Sequence, residues 1–173
     1  RHGKLPAVPA LITAVREAAP QLASLSVNVN PEKTNVILGS RGYVLWGDDG
    51  IEDTLCGLRF RLSPRSFYQV NHTQTERLYR TAAELAGLTG KETLLDLYCG
   101  TGTIGLSMAR QAGQIIGVEV VPEAVEDARR NAQINGIDNA RFLCGDAAQA
   151  AEQLAAERIH PDVVVVDPPR KGC

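Results

Sequence analysis

The chain has 173 residues, of which 44% are hydrophobic and 22% charged, and its formal net charge at pH 7 is -2. This composition is typical of a soluble globular protein. It excludes the global positive charge of many nucleic-acid-binding domains, although a local basic patch stays compatible with it. No apolar run approaches the length of a membrane-spanning helix and no signal peptide opens the chain, so we expect no membrane association and a cytoplasmic location.

The cysteines form no CxxC pair and have no histidine at metal-ligand spacing, which predicts free, mostly buried thiols and no metal site. They are Cys56, Cys99, Cys144 and Cys173. The chain starts at Arg1 rather than at a methionine and ends in the turn-forming "PPRKGC". We therefore expect it to be a piece of a longer protein.

Residues 1–70 predict a small α+β subdomain. "VPALITAVREAA" has apolar residues at helical spacing. "LSVNVN", "NVILG", "YVLWG" and "LRFRLSP" alternate or run apolar between turns, as antiparallel strands do, and "GDDG" is a turn signal.

Residues 71–173 predict a doubly wound α/β domain. "NHTQTERLYRTAAELAGL" indicates a helix with Asn71 as its N-cap, Gln74 in capping-box position and Gly87 at its end. Four apolar strands, "ETLLDLY", "QIIGVEV", "ARFLCG" and "DVVVVD", then alternate with helices, which is typical of a parallel sheet covered on both faces. We expect a Rossmann-like domain truncated after its fourth strand, whose exposed edge favours self-association.

The segment "CGTGTIG" follows a predicted strand, opens a predicted helix and contains G-x-G-x-x-G at Gly100, Gly102 and Gly105. With Glu119 at the end of the next strand to accept ribose hydroxyls, the pattern fits NAD as well as S-adenosylmethionine (SAM). Asp96 lies in the strand before the loop, where a carboxylate suits an ammonium and a sulfonium and repels a pyrophosphate. The loop therefore favours SAM, and an NAD-dependent oxidoreductase stays an alternative.

Two more aspartates follow the later strands. Asp146 is either an acceptor for the adenine amino group or a helix N-cap. Asp167 ends the fourth strand at the carboxyl edge, where ligands bind in open α/β folds, and Pro168 and Pro169 keep it out of a helix. At this position Asp167 either lies between the cofactor and the substrate base or belongs to a turn that simply ends the strand.

Four stretches resemble a known family: "FYQVN", "LLDLYCGTGTIGL", "GVEVVPEAVEDARRNAQING" and "VVVDPPRKG". They are similar to the RNA uracil-5-methyltransferases, and "NPEKTNVILG" and "GIEDTLCGLRFRLSPRSFYQVN" resemble the part of that family before its cofactor domain. The resemblance implies a SAM-dependent enzyme that methylates C5 of a uridine in RNA, with ribosomal RNA ahead of transfer RNA. The cofactor contacts that it implies are Gln69, Tyr98, Gly100, Gly102, Thr103, Glu119, Asp146 and Asp167.

The family's chemistry needs a thiolate that adds to C6 of uracil and a base that later removes the C5 proton. In the family the nucleophilic Cys lies in a Ser-Cys-Asn-Pro-like motif after DPPR, and neither this motif nor the Glu base beyond it occurs in the sequence. The nucleophile is thus expected beyond Cys173. Cys173 itself matches a position at which the family often carries a non-catalytic cysteine. No catalytic residue is assigned, and we expect this chain to be inactive alone.

The family's RNA-binding β-barrel and, in some members, its iron–sulfur cysteines are also missing from the sequence. Six basic residues are candidates for an RNA path: Arg59, Arg61, Arg65, Arg80, Arg170 and Lys171. Methylation at another nucleobase position is the nearer alternative. Enzymes that methylate exocyclic amines place an aromatic residue after Asp-Pro-Pro, whereas Arg170 follows in this chain.

Overall fold

The computed structural model describes residues 5–31, 38–39 and 41–168. Contacts divide the chain into two compact units, one of residues up to Ile51 with Ser63–Arg65, and one of Glu52–Leu62 with the residues from Ser66 onward. The division lies earlier than residue 70, where the sequence sets it, because the segment 52–62 packs with the second unit. Most of the predicted strand "NVILG" lies outside the described residues.

The first unit contains helix α1 (Val8–Ala18) and strands β1 (Ser24–Val29) and β2 (Arg41–Gly47). The two strands pair antiparallel, with a register shift between Leu25 and Ser26. The guanidinium of Arg16 lies 4.5 Å from the ring centroid of Trp46, so a cation–π contact joins α1 to β2. The predicted helix and antiparallel strands of this region are confirmed here.

The second unit contains the remaining elements in the order strand, strand, helix and then alternating strand and helix. They are β3 (Ile51–Leu55), β4 (Leu58–Leu62), α2 (His72–Ala86), β5 (Thr93–Leu97), α3 (Thr103–Met108), β6 (Gln114–Glu119), α4 (Pro122–Ile134), β7 (Ala140–Cys144), α5 (Ala147–Ala156) and β8 (Val163–Val166). Strands β7, β6, β5 and β8 form a parallel sheet in that order. The predicted Rossmann-like α/β fold is confirmed.

The sheet is apolar on both faces because helices cover both. Leu94 and Ile115 pack with Met108 of α3 on one face. Leu95 and Ile116 pack on the opposite face with α5. The strands are therefore continuously apolar because both faces of the sheet are covered, as the sequence pattern predicts.

Strand β8 is the least covered strand of the sheet. Val163 and Val165 pack on the face that carries Leu94. Val164 and Val166 are 51% and 45% exposed. Among the described residues β8 pairs only with β5, so its outer edge is free there. The run of four valines predicts a strand buried on both faces, whereas one face of β8 is half exposed.

Three predicted helix ends are confirmed. The Asn71 side chain accepts a hydrogen bond from the Gln74 amide at the start of α2, and Gly87 ends that helix with φ of 59°. Pro122 occupies the first turn of α4. None of the helices in the described part of the chain is long and apolar enough to span a bilayer.

The β3–β4 hairpin turns at Cys56 and Gly57, whose φ values are 51° and 74°. Two successive positive φ angles are typical of a type I′ turn, which matches the twist of the strands that it joins. The hairpin's inner side packs with α2 and α4 through Leu55, Phe60 and Leu62. This packing makes the hairpin part of the second unit.

Candidate cofactor site

The glycine loop, residues 98–102, connects β5 to α3 at the carboxyl edge of the sheet. Tyr98, Gly100 and Gly102 have φ of 64°, 55° and 83°, so the loop has three left-handed residues within one turn. A Cβ atom at Gly102 would lie 3.2 Å from the side chains of Ala128, Leu106 and Phe142. Gly102 is thus fixed as glycine by both its backbone and its neighbours. Tyr98 adopts the same region without that freedom, which indicates local strain.

Two carboxylates hold the backbone of this loop. Glu119, at the end of β6, accepts a hydrogen bond from the Gly100 amide at 3.1 Å through Oε2. Its Oε1 accepts from the Val121 amide at 2.9 Å. Asp96, in β5, accepts from the Gly105 amide at 2.8 Å. These bonds hold the Gly100 amide of the loop and the first turn of α3, and each carboxylate oxygen of Glu119 has a second lone pair that can accept a hydrogen bond.

Two side chains hold the same loop from neighbouring helices. Asn131 of α4 donates a hydrogen bond to the Thr101 carbonyl at 3.2 Å. The hydroxyls of Tyr79 in α2 and Thr103 lie 2.9 Å apart. Burial raises the pKa of Tyr79, so it stays protonated.

Asp96 lies beneath the loop rather than on its surface. It is 1% exposed, and its Oδ1 has no hydrogen-bond partner among the described residues. Burial raises its pKa from 3.8 to about 7, with Asp167 and Glu119 adding to the rise and the Gly105 amide opposing it. The sequence places this carboxylate against the ligand's charged end. The structure buries this carboxylate beneath the loop, where it accepts from the Gly105 amide, so its contact with a ligand stays a prediction.

A small cleft of about 40 Å³ lies beside the loop. It brings together five of the predicted cofactor residues: Gln69, Tyr98, Gly100, Thr103 and Asp167. Gly102, within the loop, and Glu119, which accepts from the Gly100 amide, do not line this cleft. The lining residues that the sequence motifs did not indicate are Phe67, Tyr68, Tyr79, Cys99, Thr101 and Ile104.

Residues 66–71, the anchored segment, line part of the cleft through Phe67, Tyr68 and Gln69. The Ser66 hydroxyl donates to Asp127 of α4 at 2.7 Å, and the Tyr68 hydroxyl donates to Asp53 of β3 at 2.9 Å. These two bonds fix the segment on either side of Phe67, whose side chain is 76% exposed. Phe67 begins the "FYQVN" stretch, which is a signal from which it could have been assigned.

Asp146 lies at the end of β7, outside the residues that line the cleft. Its Oδ1 accepts from the Gln149 amide at 2.8 Å, and the Gln149 side chain accepts from the Asp146 amide at 3.0 Å. This reciprocal pair is a capping box at the start of α5. The capping alternative is therefore present in the structure, and contact with adenine stays a prediction.

Comparison with known proteins shows what this chain is similar to. Residues 88–168 match the family model described as a methyltransferase domain. A Halalkalibacterium halodurans protein named "uncharacterized RNA methyltransferase" is 50% identical over 173 residues, which are 100% of this chain and 38% of that protein. A Staphylococcus aureus protein of the same name is 49% identical over 170 residues, or 98% of this chain and 38% of that protein. The chain is thus similar over nearly its whole length to one part of these curated RNA methyltransferases.

One solved structure resembles this chain over most of the chain's length. It is a tRNA (uracil-54, C5)-methyltransferase of Pyrococcus abyssi in complex with S-adenosyl-L-homocysteine, 31% identical with a TM-score of 0.67. The match covers 91% of this chain and 37% of that one. The chain spans 38% of the length of the two curated relatives. The motif resemblance is thus confirmed at the level of RNA methyltransferases.

The described cysteines carry no sign of nucleophilic activation. Cys99 is 5% exposed, and burial, with Asp96 and Glu119, raises the pKa of its thiol. Burial also raises the pKa of the half-buried Cys56. Cys144 is exposed, so the prediction of mostly buried thiols is wrong for it. Cys173 lies outside the described residues.

The predicted basic residues do not all fall in one unit. Arg59 is exposed on β4 and Arg80 is exposed on α2. Arg61 is half-buried on β4, and Arg65 belongs to the first unit. Pro169, Arg170 and Lys171 lie outside the described residues. A continuous RNA path along these side chains stays a prediction.

Proposed function

We propose that the whole protein transfers a methyl group from SAM to C5 of a uridine in RNA, and that this chain supplies the cofactor site. The cofactor prediction is confirmed, because the methyltransferase domain and the S-adenosylhomocysteine-bound neighbour both indicate SAM. SAM supplies an electrophilic methyl group on a sulfonium. The residues present fit this cation: Glu119 touches the loop, Asp167 lines the cleft, and Asp96 lies below.

The proposed roles follow the positions of the side chains. The backbone around Gly100 and Gly102, with the Thr103 hydroxyl beside it, would hold the methionine end. Glu119 would accept the ribose hydroxyls. These positions are neighbours in the structure, because Glu119 accepts from the Gly100 amide and Thr103 begins α3 directly after Gly102.

The remaining assigned residues lie around this surface. Gln69 and Tyr98 line the cleft and would contact the cofactor, and Asp167 would lie between the cofactor and the target base. Asp146, at the end of the neighbouring β7, would accept the adenine amino group.

The observation that carries the proposal is the meeting of the anchored segment with the glycine loop. Phe67 and Gln69 share one cleft with Asp167 and Gly100. An aromatic side chain that is 76% exposed at the mouth of a cofactor cleft suits stacking on an unpaired base, which is how single-stranded RNA is bound. A plain cofactor-binding domain has no need for such an exposed ring.

The methylation chemistry also indicates where the nucleophilic cysteine lies. C5 of uracil becomes nucleophilic only after a thiolate adds to C6, and the thiolate leaves when a base removes the C5 proton. Cys99 is buried with a raised thiol pKa, and Cys56 and Cys144 do not line the cleft. We therefore place the nucleophile outside the described residues and expect the 173-residue chain to bind the cofactor without turnover.

The first test is titration calorimetry of the 173-residue chain with S-adenosylhomocysteine and with NAD. We expect heat of binding from the first and none from the second, because carboxylates surround the loop and repel a pyrophosphate. Binding of NAD alone would restore the oxidoreductase alternative.

The second test uses the whole protein with RNA that carries tritium at C5 of uridine. Methylation at C5 expels that hydrogen, so tritium release should match methyl transfer one for one. Ribosomal and transfer RNA are assayed in parallel. Phe67→Ala should lower the rate, whereas Leu85→Ala, at an 84% exposed position on α2, should not. Methyl transfer without tritium release would indicate another nucleobase position.

A further inference from the structure

One face of α4 carries three polar side chains at four-residue spacing, Asp127, Asn131 and Asn135, which we name the polar ladder. Residues four apart on a helix share a face. Each ladder residue bonds a segment far away in sequence. Asp127 accepts from Ser66 of the anchored segment, and the two asparagines bond the backbone of β4. The cofactor contacts proposed above use none of the three.

The two asparagines cover the edge of β4 as a neighbouring strand would. Asn135 accepts from the Arg59 amide at 2.9 Å and donates to the Arg59 carbonyl at 2.6 Å. Asn131 accepts from the Arg61 amide at 2.7 Å and donates to the Arg61 carbonyl at 3.2 Å. A side-chain amide offers the same donor and acceptor as a peptide group, so the ladder satisfies the backbone of β4.

Asn131 differs from Asn135 in a second contact. Its side chain is 0% exposed, and its Nδ2 also donates to the carbonyl of Thr101 in the glycine loop, at 3.2 Å. Ala128, one turn earlier on α4, packs against Gly102 of the same loop. One buried amide group therefore bonds both the cofactor loop and β4.

We infer that Asn131 is a positioning residue that couples the glycine loop to the β3–β4 hairpin and, through the Tyr68–Asp53 bond, to the anchored segment. The inference rests on the proposed function. The two Nδ2 hydrogens of Asn131 bond the carbonyls of Thr101 and Arg61. Both bonds therefore form only when the glycine loop and β4 have one relative position. Because such coupling is reciprocal, a ligand that orders the loop also orders β4.

The first experiment compares the same substitution at two neighbouring positions of the ladder. Asn131→Asp keeps the size of the side chain and the acceptor for the Arg61 amide. It removes the donor and sets a carboxylate against two carbonyl oxygens. We expect its dissociation constant for S-adenosylhomocysteine to rise roughly tenfold, as the loss of a buried hydrogen bond and the added repulsion imply. Calorimetry on the 173-residue chain measures it.

Asn135→Asp is the matched control, because Asn135 bonds the same strand but has no bond to the glycine loop. We expect it to lower the melting temperature while the dissociation constant stays within about twofold of that of the unchanged chain. Equal losses of affinity in both variants would reduce Asn131 to a structural role. An unchanged affinity in Asn131→Asp would overturn the inference.

A second experiment needs no variant and serves if Asn131→Asp does not fold. The Arg61 amide bonds Asn131 and does not line the cleft. Addition of S-adenosylhomocysteine to the unchanged chain should slow hydrogen exchange at Arg61 several-fold, and less at Arg59. Unchanged exchange at Arg61 in a chain that binds the ligand overturns the coupling alone. A chain that does not bind the ligand overturns the proposed function as well.

Discussion

Asp96 shows how burial changes the chemistry of one carboxyl group. It follows Leu94 and Leu95 in a strand that is buried on both faces, and among the described residues only the Gly105 amide of α3 bonds it. The sequence correctly places an acid at this end of β5. It does not show the acid's depth, because depth depends on where α3 packs across the strand. A polar residue within a continuously apolar strand is nevertheless a sign of burial.

The buried carboxyl predicts a pH dependence of stability. The pKa of Asp96 is about 7 in the folded chain against 3.8 as its ordinary value. Between those values the folded state holds a proton that the unfolded state has lost, so the free energy of unfolding falls as pH rises towards 7, and this effect levels off above 7. Asp96→Asn should abolish this fall with pH and raise the free energy of unfolding by on the order of 3 kcal/mol at pH 8.

Urea unfolding between pH 5 and pH 8 measures this difference. Asp138→Asn, at an exposed position, changes the same charge without burial and should follow the unchanged chain. If the stability difference between Asp96→Asn and the unchanged chain does not grow across this range, Asp96 is ionised in the folded state and the pKa argument is wrong.

The N-cap of helix α5, Asp146, is also a proposed ligand contact. Asp146→Ala should lower the free energy of unfolding by about 1 kcal/mol through loss of the cap, whereas Asp146→Ser, an equally good cap, should not. The serine hydroxyl is too short to replace a carboxylate at adenine. If Asp146 contacts adenine, both variants bind S-adenosylhomocysteine roughly fivefold more weakly.

Chemical denaturation and calorimetry on the same two proteins separate the two roles. Full affinity in Asp146→Ser would leave Asp146 as a helix cap alone and remove it from the proposed site.

The sequence predicts the β3–β4 hairpin only in part, because "LRFRLSP" indicates β4 but no signal indicates β3 or the turn. Its turn uses Cys56 in a left-handed conformation rather than Asn-Gly or Asp-Gly, so the usual signature is missing. Strand β3 reads "IEDTL", without a clear apolar alternation. The caps of α2 and α4, in contrast, depend on a few adjacent residues, and the sequence predicted them. Local signals were sufficient for helices and parallel strands, but not for a hairpin held by Asn131 and Asn135.

On the scale of the whole molecule, the exposed side of β8 predicts self-association of this chain. Val164 and Val166 are half exposed beside a strand edge that is free within the described residues. Such edges pair with other chains. Sedimentation velocity should show a weight-average mass that rises with concentration, and Val164→Lys should suppress the rise because a charge opposes edge pairing.

Leu85→Lys places the same charge on an exposed helix position and should leave the association unchanged. Monomers of the unchanged chain at all concentrations would show that the edge of β8 is not a site of pairing.

The sequence predicts those parts of the architecture that follow from the alternation of strands and helices. The four-strand parallel sheet, the glycine loop and five residues of the cleft follow from that pattern and from its motifs. The division between the units does not, since α4 bonds β4 across some seventy positions of sequence. Contacts of that range depend on the folded chain, and no local composition encodes them.

The exposed thiol of Cys144 offers a direct optical readout. Cys144 pairs with Glu119 across β6 and β7, whereas the thiol of Cys99 is buried and therefore slow to react. After Cys56→Ser and Cys173→Ser, an environment-sensitive dye coupled to Cys144 would sit beside the acceptor proposed for the ribose. Its emission would then follow occupancy in real time, so association and dissociation rates become measurable by stopped flow without radiolabel.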